Sequence, residues 1–121
     1  MREIKFRGKQ SFDNKWIYGS LLKDKEKYYI TNDYGDTFYA VIPQTIGQYT
    51  GLKDKNGKEI YEGDVLNNTA VNFKFIVKFE NTKYILQKLE YPDDALDMND
   101  YFHRIPTMFE VMEIYMIKEN R

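Results

Sequence analysis

The chain has no cysteine, one histidine and almost no net charge: 18 Lys and Arg stand against 19 Asp and Glu, for a formal charge of −1. Each absence closes off a class of function. Without cysteine there is no disulfide framework, no thiolate nucleophile and no thiolate metal site. A general base needs an orienting partner and a substrate pocket. Asp97 and Asp100 are close in sequence to His103, but no triad context surrounds it, so it reads as a surface or loop histidine. The charge balance means that attraction to nucleic acid or to an anionic membrane is not a property of the whole chain. No window approaches the roughly 20 apolar residues that span a bilayer, and Met1–Arg7 has basic residues with no apolar stretch behind them. The expectation is a cytoplasmic protein without a secretory signal or membrane partner.

Aromatic residues are plentiful. Eleven Tyr, eight Phe and one Trp make up 17% of 121 residues. Tyr and Phe favour pleated, half-buried surfaces, so this composition leans toward β structure, with aromatics in cores and cross-strand pairs. A chain of this length makes one domain and buries roughly two-thirds of its unfolded surface. Alternation puts Ile4 and Phe6 on one face of a first strand, with Glu3, Lys5 and Arg7 on the other. Lys15–Leu22 reads as a second strand with a candidate bulge at Gly19. Tyr28–Thr31 reads as a third, and Thr37–Ile42, closed by Pro43, as a fourth.

The densest punctuation lies between Gly47 and Val65. Extended chain runs to a tight turn at Asn56-Gly57, continues extended, and turns a corner at Glu62-Gly63-Asp64. Asn-Gly suits a type I′ or bulged turn with positive φ at Gly57. Lys53-Asp54-Lys55 and Lys58 suit a solvent-facing tip. Further on, Val71, Phe73, Phe75, Val77 and Phe79 alternate onto one face of the strongest strand. Asn81-Thr82 turns it into a returning strand at Tyr84–Leu89. Pro92 can open a short helix, with Asp93 and Asp94 at its start and Ala95, Leu96 and Met98 on its buried side. Phe109–Lys118 fits a strand and a helical stripe equally well; its β-branched and aromatic content favours the strand.

Other constellations are weak. Asp93, Asp94, Asp97 and Asp100 lack the central glycine and closing glutamate of a calcium loop. Gly47 and Gly51 near Lys53 do not make a phosphate loop. Lys5, Arg7 and Lys9, interleaved with Phe6, Phe12, Trp16 and Tyr49, suit base stacking only if they share an exposed face. No metal or nucleotide cofactor is expected.

Several ordered segments resemble the YopX family of bacteriophage and prophage proteins: Arg2-Glu3-Ile4-Lys5-Phe6-Arg7-Gly8, Trp16-Ile17-Tyr18-Gly19-Ser20-Leu21, Ile42-Pro43-Gln44-Thr45-Ile46-Gly47-Gln48-Tyr49-Thr50-Gly51 and the run through Gly63-Asp64-Val65. Val77–Asn81 resembles the family's later strand and turn, and Phe109–Tyr115 its closing strand. The resemblance implies a mostly β fold with an SH3-like barrel and carries no catalytic residues with it. The fold expected is therefore mainly β within residues 1–121. It has an N-terminal antiparallel β lobe over about 1–45, an SH3-like barrel over about 46–121, and at most one short helix. The function expected is that of a non-enzymatic phage accessory protein contacting a host or phage protein, with self-association a further expectation. A small nucleic-acid-binding module is the alternative. The expected interaction surface comprises Tyr49, Lys53, Lys55, Lys58 and Tyr61, joined by Tyr28, Tyr29, Tyr34 and Tyr39. Asn56, Gly57, Gly63 and Asp64 are expected to be structural turn residues.

Overall fold

The computed structural model describes residues 4–31, 35–70, 73–104 and 109–112. The chain is mainly β, in two antiparallel sheets, and divides into two compact units, Met1–Gly51 and Leu52–Arg121. The division falls at Gly51 rather than near Pro43. Pro43–Thr45 forms a 3-10 turn that is stitched to the first strand: the Lys9 amide donates to Thr45 Oγ1 (2.8 Å), and the Ile42 amide donates to the Lys9 carbonyl (2.8 Å). Those bonds keep the segment after Pro43 with the N-terminal strands.

In the first unit, strands β1 (Phe6–Lys9), β2 (Trp16–Asp24), β3 (Lys27–Thr31) and β4 (Phe38–Ala40) form a meander. Strand β5 (Gly47–Lys53) begins in this unit and returns beside β1, giving the order β4-β3-β2-β1-β5. Strand β2 changes partner midway. Residues 16–19 pair with β1 and residues 20–24 with β3. Gly19 sits at this exchange with φ 157°, where a Cβ would stand 1.9 Å from the Thr31 carbonyl oxygen. Only glycine fits so close a backbone approach, which explains the irregularity suspected there. A bridge between Gln10 and Val41, with the Ser11 amide on the Ala40 carbonyl (3.0 Å), ties the end of β4 to the end of β1.

The second unit holds β6 (Glu59–Tyr61), β7 (Val65–Asn68), β8 (Lys74–Glu80), β9 (Lys83–Lys88), β10 (Ala95–Asp97), helix α1 (Met98–Arg104) and β11 (Phe109–Val111). Its sheet order is β10-β9-β8-β7-β11, so the last strand returns beside β7. Pairing among the described strands closes no barrel. The core comprises Ile60, Leu66, Phe75, Val77, Tyr84, Leu86, Met98, Phe102 and Phe109. Phe109 stacks on Phe102 (4.9 Å between centroids) and meets Phe75 edge-on (5.7 Å). Each fully buried aromatic of this kind contributes about 1.5–3 kcal/mol. The Tyr61–Asp64 corner is a type II turn: the Asp64 amide donates to the Tyr61 carbonyl (3.0 Å), and Gly63 supplies the positive φ of 94°.

The structure revises several details. Gly57 has φ 81° as expected, while Asn56 does not enter the left-handed region, so this turn is the bulged form rather than type I′. The type I′ signature appears instead at Asn81 (φ 51°) and Thr82 (φ 66°), between the paired residues Glu80 and Lys83. Helix α1 begins at Met98, later than Pro92, because Ala95–Asp97 is taken up pairing with β9. Phe75 and Val77 are buried as expected, whereas Phe73 and Phe79 are exposed where β8 leaves the core; Val71 lies outside the described residues. Arg7 is buried and Ile4 exposed, the reverse of simple alternation. The Arg7 guanidinium lies 4.2 Å from the centroid of the Trp16 ring, where cation–π attraction offsets part of its desolvation. Val111 confirms the start of a closing strand, and 113–118 lie outside the described residues.

Candidate functional site

The 53–58 hairpin is organised by a carboxylate that the local sequence pattern places in solvent. Asp54 is only 6% exposed. Its Oδ1 accepts from the amides of Asn56 (2.8 Å) and Lys58 (2.9 Å), and its Oδ2 accepts from the amide of Val111 (2.9 Å). Its backbone closes the turn as well, with the Asp54 amide on the Lys58 carbonyl and the Gly57 amide on the Asp54 carbonyl. The Lys55 amide donates to the Phe109 carbonyl (2.9 Å), so the hairpin and β11 are joined at two points. Asp54 therefore turns inward because it satisfies three amides. The sequence signal is an aspartate at the first position of a type I turn.

That inward turn leaves Lys53, Lys55 and Lys58 exposed at the tip, as expected. Lys55 approaches Glu110 at 4.0 Å. The tyrosines do not join them. Tyr49 is 5% exposed and Tyr61 2%. Tyr61 is held inside the second unit, its hydroxyl donating to Glu59 Oε1 (2.9 Å) and its amide to Asp64 Oδ2 (2.8 Å). Tyr49 packs in the first unit with its amide on the Lys5 carbonyl (2.8 Å) and the Lys5 ammonium 5.7 Å from its ring centre. Tyr28, Tyr29 and Tyr39 are half-buried, and Tyr34 lies outside the described residues. The expected patch of tyrosine beside lysine does not form, because the tyrosines of this segment fill cores. Asn56 and Gly57 sit at the tip of the hairpin, and Gly63 and Asp64 at the corner.

A different surface stands out in the first unit. Directly paired residues share a face of a sheet. Leu22 pairs with Tyr29 and Tyr29 with Ala40; two residues along, Ser20 pairs with Thr31 and Thr31 with Phe38. The opposite row of Leu21, Ile30 and Tyr39 carries the buried side, with Ile30 fully inaccessible. On the Leu22–Phe38 face the outer strands are open, with Leu22 40% and Phe38 57% exposed and Ser20 and Ala40 also exposed, while on the central strand Tyr29 is half-buried and Thr31 buried. On the β1-paired half of β2, Tyr18 is 46% exposed. Phe12, at the β1–β2 turn, is 82% exposed. Alternation alone does not find this face, because both faces of β2–β4 carry apolar residues. An excess of large apolar residues over the small core they can share is the signal that was available.

The aromatics interleaved with the N-terminal basic residues do not make a common platform. Phe6 and Trp16 are half-buried and Tyr49 is buried, while Arg7 and Lys9 both lie over the Trp16 ring.

The acidic stretch of the second unit is a set of turns and a helix cap. Asp94 pairs with Lys88 (2.8 Å), and the Gln87 side-chain amide donates to the Pro92 carbonyl (2.7 Å). Glu90–Asp94 line an open depression of about 550 Å³. Asp97 caps α1, accepting from the Asp100 amide (3.2 Å), and meets Lys83 at 3.4 Å. The Asp100 amide is the main reason that the Asp97 carboxyl is held below its ordinary value of 3.8; slight burial opposes the shift, and Lys83 adds to it. Among the described residues no group of three His, Cys, Asp or Glu side chains is arranged to hold a metal ion, and no helix is long and apolar enough to cross a membrane. His103 lies on α1.

No curated protein matches this sequence. A family model described as YopX protein matches residues 5–112, spanning both units, and on that match the chain belongs to the YopX family.

Proposed function

We propose that this YopX-family chain is a non-enzymatic interaction module, a phage or prophage accessory protein that works in the host cytoplasm by binding a host or phage protein. The observation that carries the reading is the open apolar face of β2–β4, with Leu22, Tyr29, Phe38 and Ala40 in adjacent rows of one sheet. Large exposed apolar patches on soluble proteins commonly mark contact sites, and aromatic side chains are favoured at interface centres. The second unit is read as an SH3-like barrel. A four-strand meander with a fifth strand returning beside the first supports that reading. The test is affinity enrichment of the full chain from host cells, with and without nuclease, alongside a Leu22→Ser/Phe38→Ser variant whose folding is checked by Trp16 emission. Protein recovery that resists nuclease and fails in the variant supports the reading. Recovery unchanged in the variant refutes it.

One observation favours a second reading. Lys53, Lys55 and Lys58 crown a two-stranded ribbon, and such a ribbon fits a nucleic-acid major groove. Three phosphate contacts would give duplex binding a log–log salt slope of about −2.7. A Lys53→Gln/Lys55→Gln/Lys58→Gln variant should flatten that slope, and a duplex affinity independent of salt rejects this second reading.

A further inference from the structure

The β1–β2 turn presents Phe12 in an arrangement that core formation does not explain. Phe12 is 82% exposed, the largest exposure among the large hydrophobic side chains of the described residues. The turn beneath it is fixed. The Gln10 amide donates to the Lys15 carbonyl (2.8 Å), the Asn14 amide to the Gln10 carbonyl (2.9 Å) and the Ser11 amide to the Ala40 carbonyl (3.0 Å). Asp13 Oδ1 accepts from the Lys15 amide (3.0 Å), and Asn14 takes the left-handed φ of 61° that the turn requires. Gln10, at the base, is 8% exposed. A phenylalanine on a floppy loop loses much of its binding energy to ordering. Here the backbone on both sides of Phe12 is already held, so that cost is largely absent.

We infer that Phe12 is a preformed anchor that inserts into an apolar pocket on a partner protein, and that the pocket has an acidic rim. This rests on the interaction-module reading and names its contact point. A single convex aromatic calls for a concave apolar site, the usual geometry of an interface hot spot. The rim chemistry follows from the neighbours. Lys15 is exposed immediately beyond the turn, and the half-buried Lys9 immediately precedes it. The one carboxylate between them, Asp13, accepts from the Lys15 amide and keeps its charge, so two lysines stand against one aspartate around Phe12. The first unit as a whole carries eight Lys and Arg against six Asp and Glu. Single-stranded nucleic acid is disfavoured as occupant, because the nearest ring beyond the turn, Trp16, is covered by Arg7 and Lys9 and, among the described residues, no ring stacks on Phe12 to continue a run of bases.

The test places a benzophenone-bearing phenylalanine at position 12 of the full chain, and separately at position 38, in cells that naturally carry the gene. Adducts are sequenced after irradiation, and the adducted protein is purified for binding measurements. The expected result is a position-12 adduct to a protein segment that combines apolar residues with Asp or Glu. Phe12→Ala should weaken binding of that purified protein at least about ten-fold. Lys9→Gln/Lys15→Gln should weaken it by about three-fold or more at low salt, with the effect shrinking at high salt. Melting of the Phe12→Ala variant should match the wild type. Adducts from position 38 and none from position 12 overturn this inference and leave the module reading standing. Adducts only to nucleic acid, lipid or a second copy of the chain overturn it too, as does an affinity unchanged by Phe12→Ala. No protein adduct from either position overturns both.

Discussion

Replacing Asp54 with alanine should destabilise the second unit more than any other change in the 53–58 hairpin. The carboxylate accepts three amide hydrogen bonds while only 6% of the residue is exposed. Bonds to a charged acceptor contribute about 1.5–3 kcal/mol each, and a buried donor left unmade costs about 1–3 kcal/mol. The three do not count equally. Asn56 and Lys58 are exposed, so water replaces much of what their amides lose. The Val111 amide belongs to a half-buried strand residue and has less access to water. A total near 3 kcal/mol is expected, a large fraction of the ~5–15 kcal/mol that stabilises a typical domain. Asp54→Asn keeps one carbonyl acceptor and should cost about half as much. The assay is urea unfolding followed by far-ultraviolet circular dichroism, with amide exchange at Val111 and Lys55 as the local readout. Both amides should exchange faster in Asp54→Ala, since both join the hairpin to β11. A midpoint within 0.5 kcal/mol of wild type, about the size of an ordinary surface substitution, would refute the reasoning, as would unchanged exchange at Val111.

Gly19→Ala should cost about 3 kcal/mol or more, because its Cβ would meet the Thr31 carbonyl oxygen at 1.9 Å and the backbone must shift; Trp16 emission during denaturation reads the loss in the first unit. Gly57→Val should cost about 1 kcal/mol or more through its φ of 81° alone, since no atom lies within 4 Å of the added Cβ. An unchanged urea midpoint would show the turn assignment to be wrong. Phe109→Ala should cost about 3–5 kcal/mol by emptying its place against Phe75 and Phe102, measured by thermal melting. The Asp97 carboxyl is held below 3.8 in the folded chain. Its contribution is therefore fully present above that unfolded value and lost as pH falls through the lower folded one. Acid titration of stability should show this loss in wild type and a shallower one in Asp97→Asn.

What the sequence reveals depends on how many elements compete for a residue. The strands and turns are legible because Gly57, Gly63 and Asn81 sit where backbone conformation admits few alternatives. The helix near Pro92 is legible in kind and misplaced in position, because Ala95–Asp97 has a strand partner that local pattern does not contain. The same limit governs the site. Lys53, Lys55 and Lys58 are exposed as their charge suggests, whereas Tyr49 and Tyr61 look equally suited to a surface or a core and tertiary packing decides for the core. Asp54 is misread as a solvent-facing charge because its third amide partner, Val111, lies 57 residues away in sequence. The Leu22–Phe38 face emerges only from strand register, which alternation leaves open when both faces of a strand are apolar.

The most direct test of a protein-contact role for the first unit is an amide-exchange footprint of the full chain with and without its enriched partner. The account predicts slowed exchange across the β1–β2 turn and along β2, β3 and β4, with the 53–58 hairpin unchanged. Protection confined to the 53–58 hairpin, or none in the first unit, would contradict it.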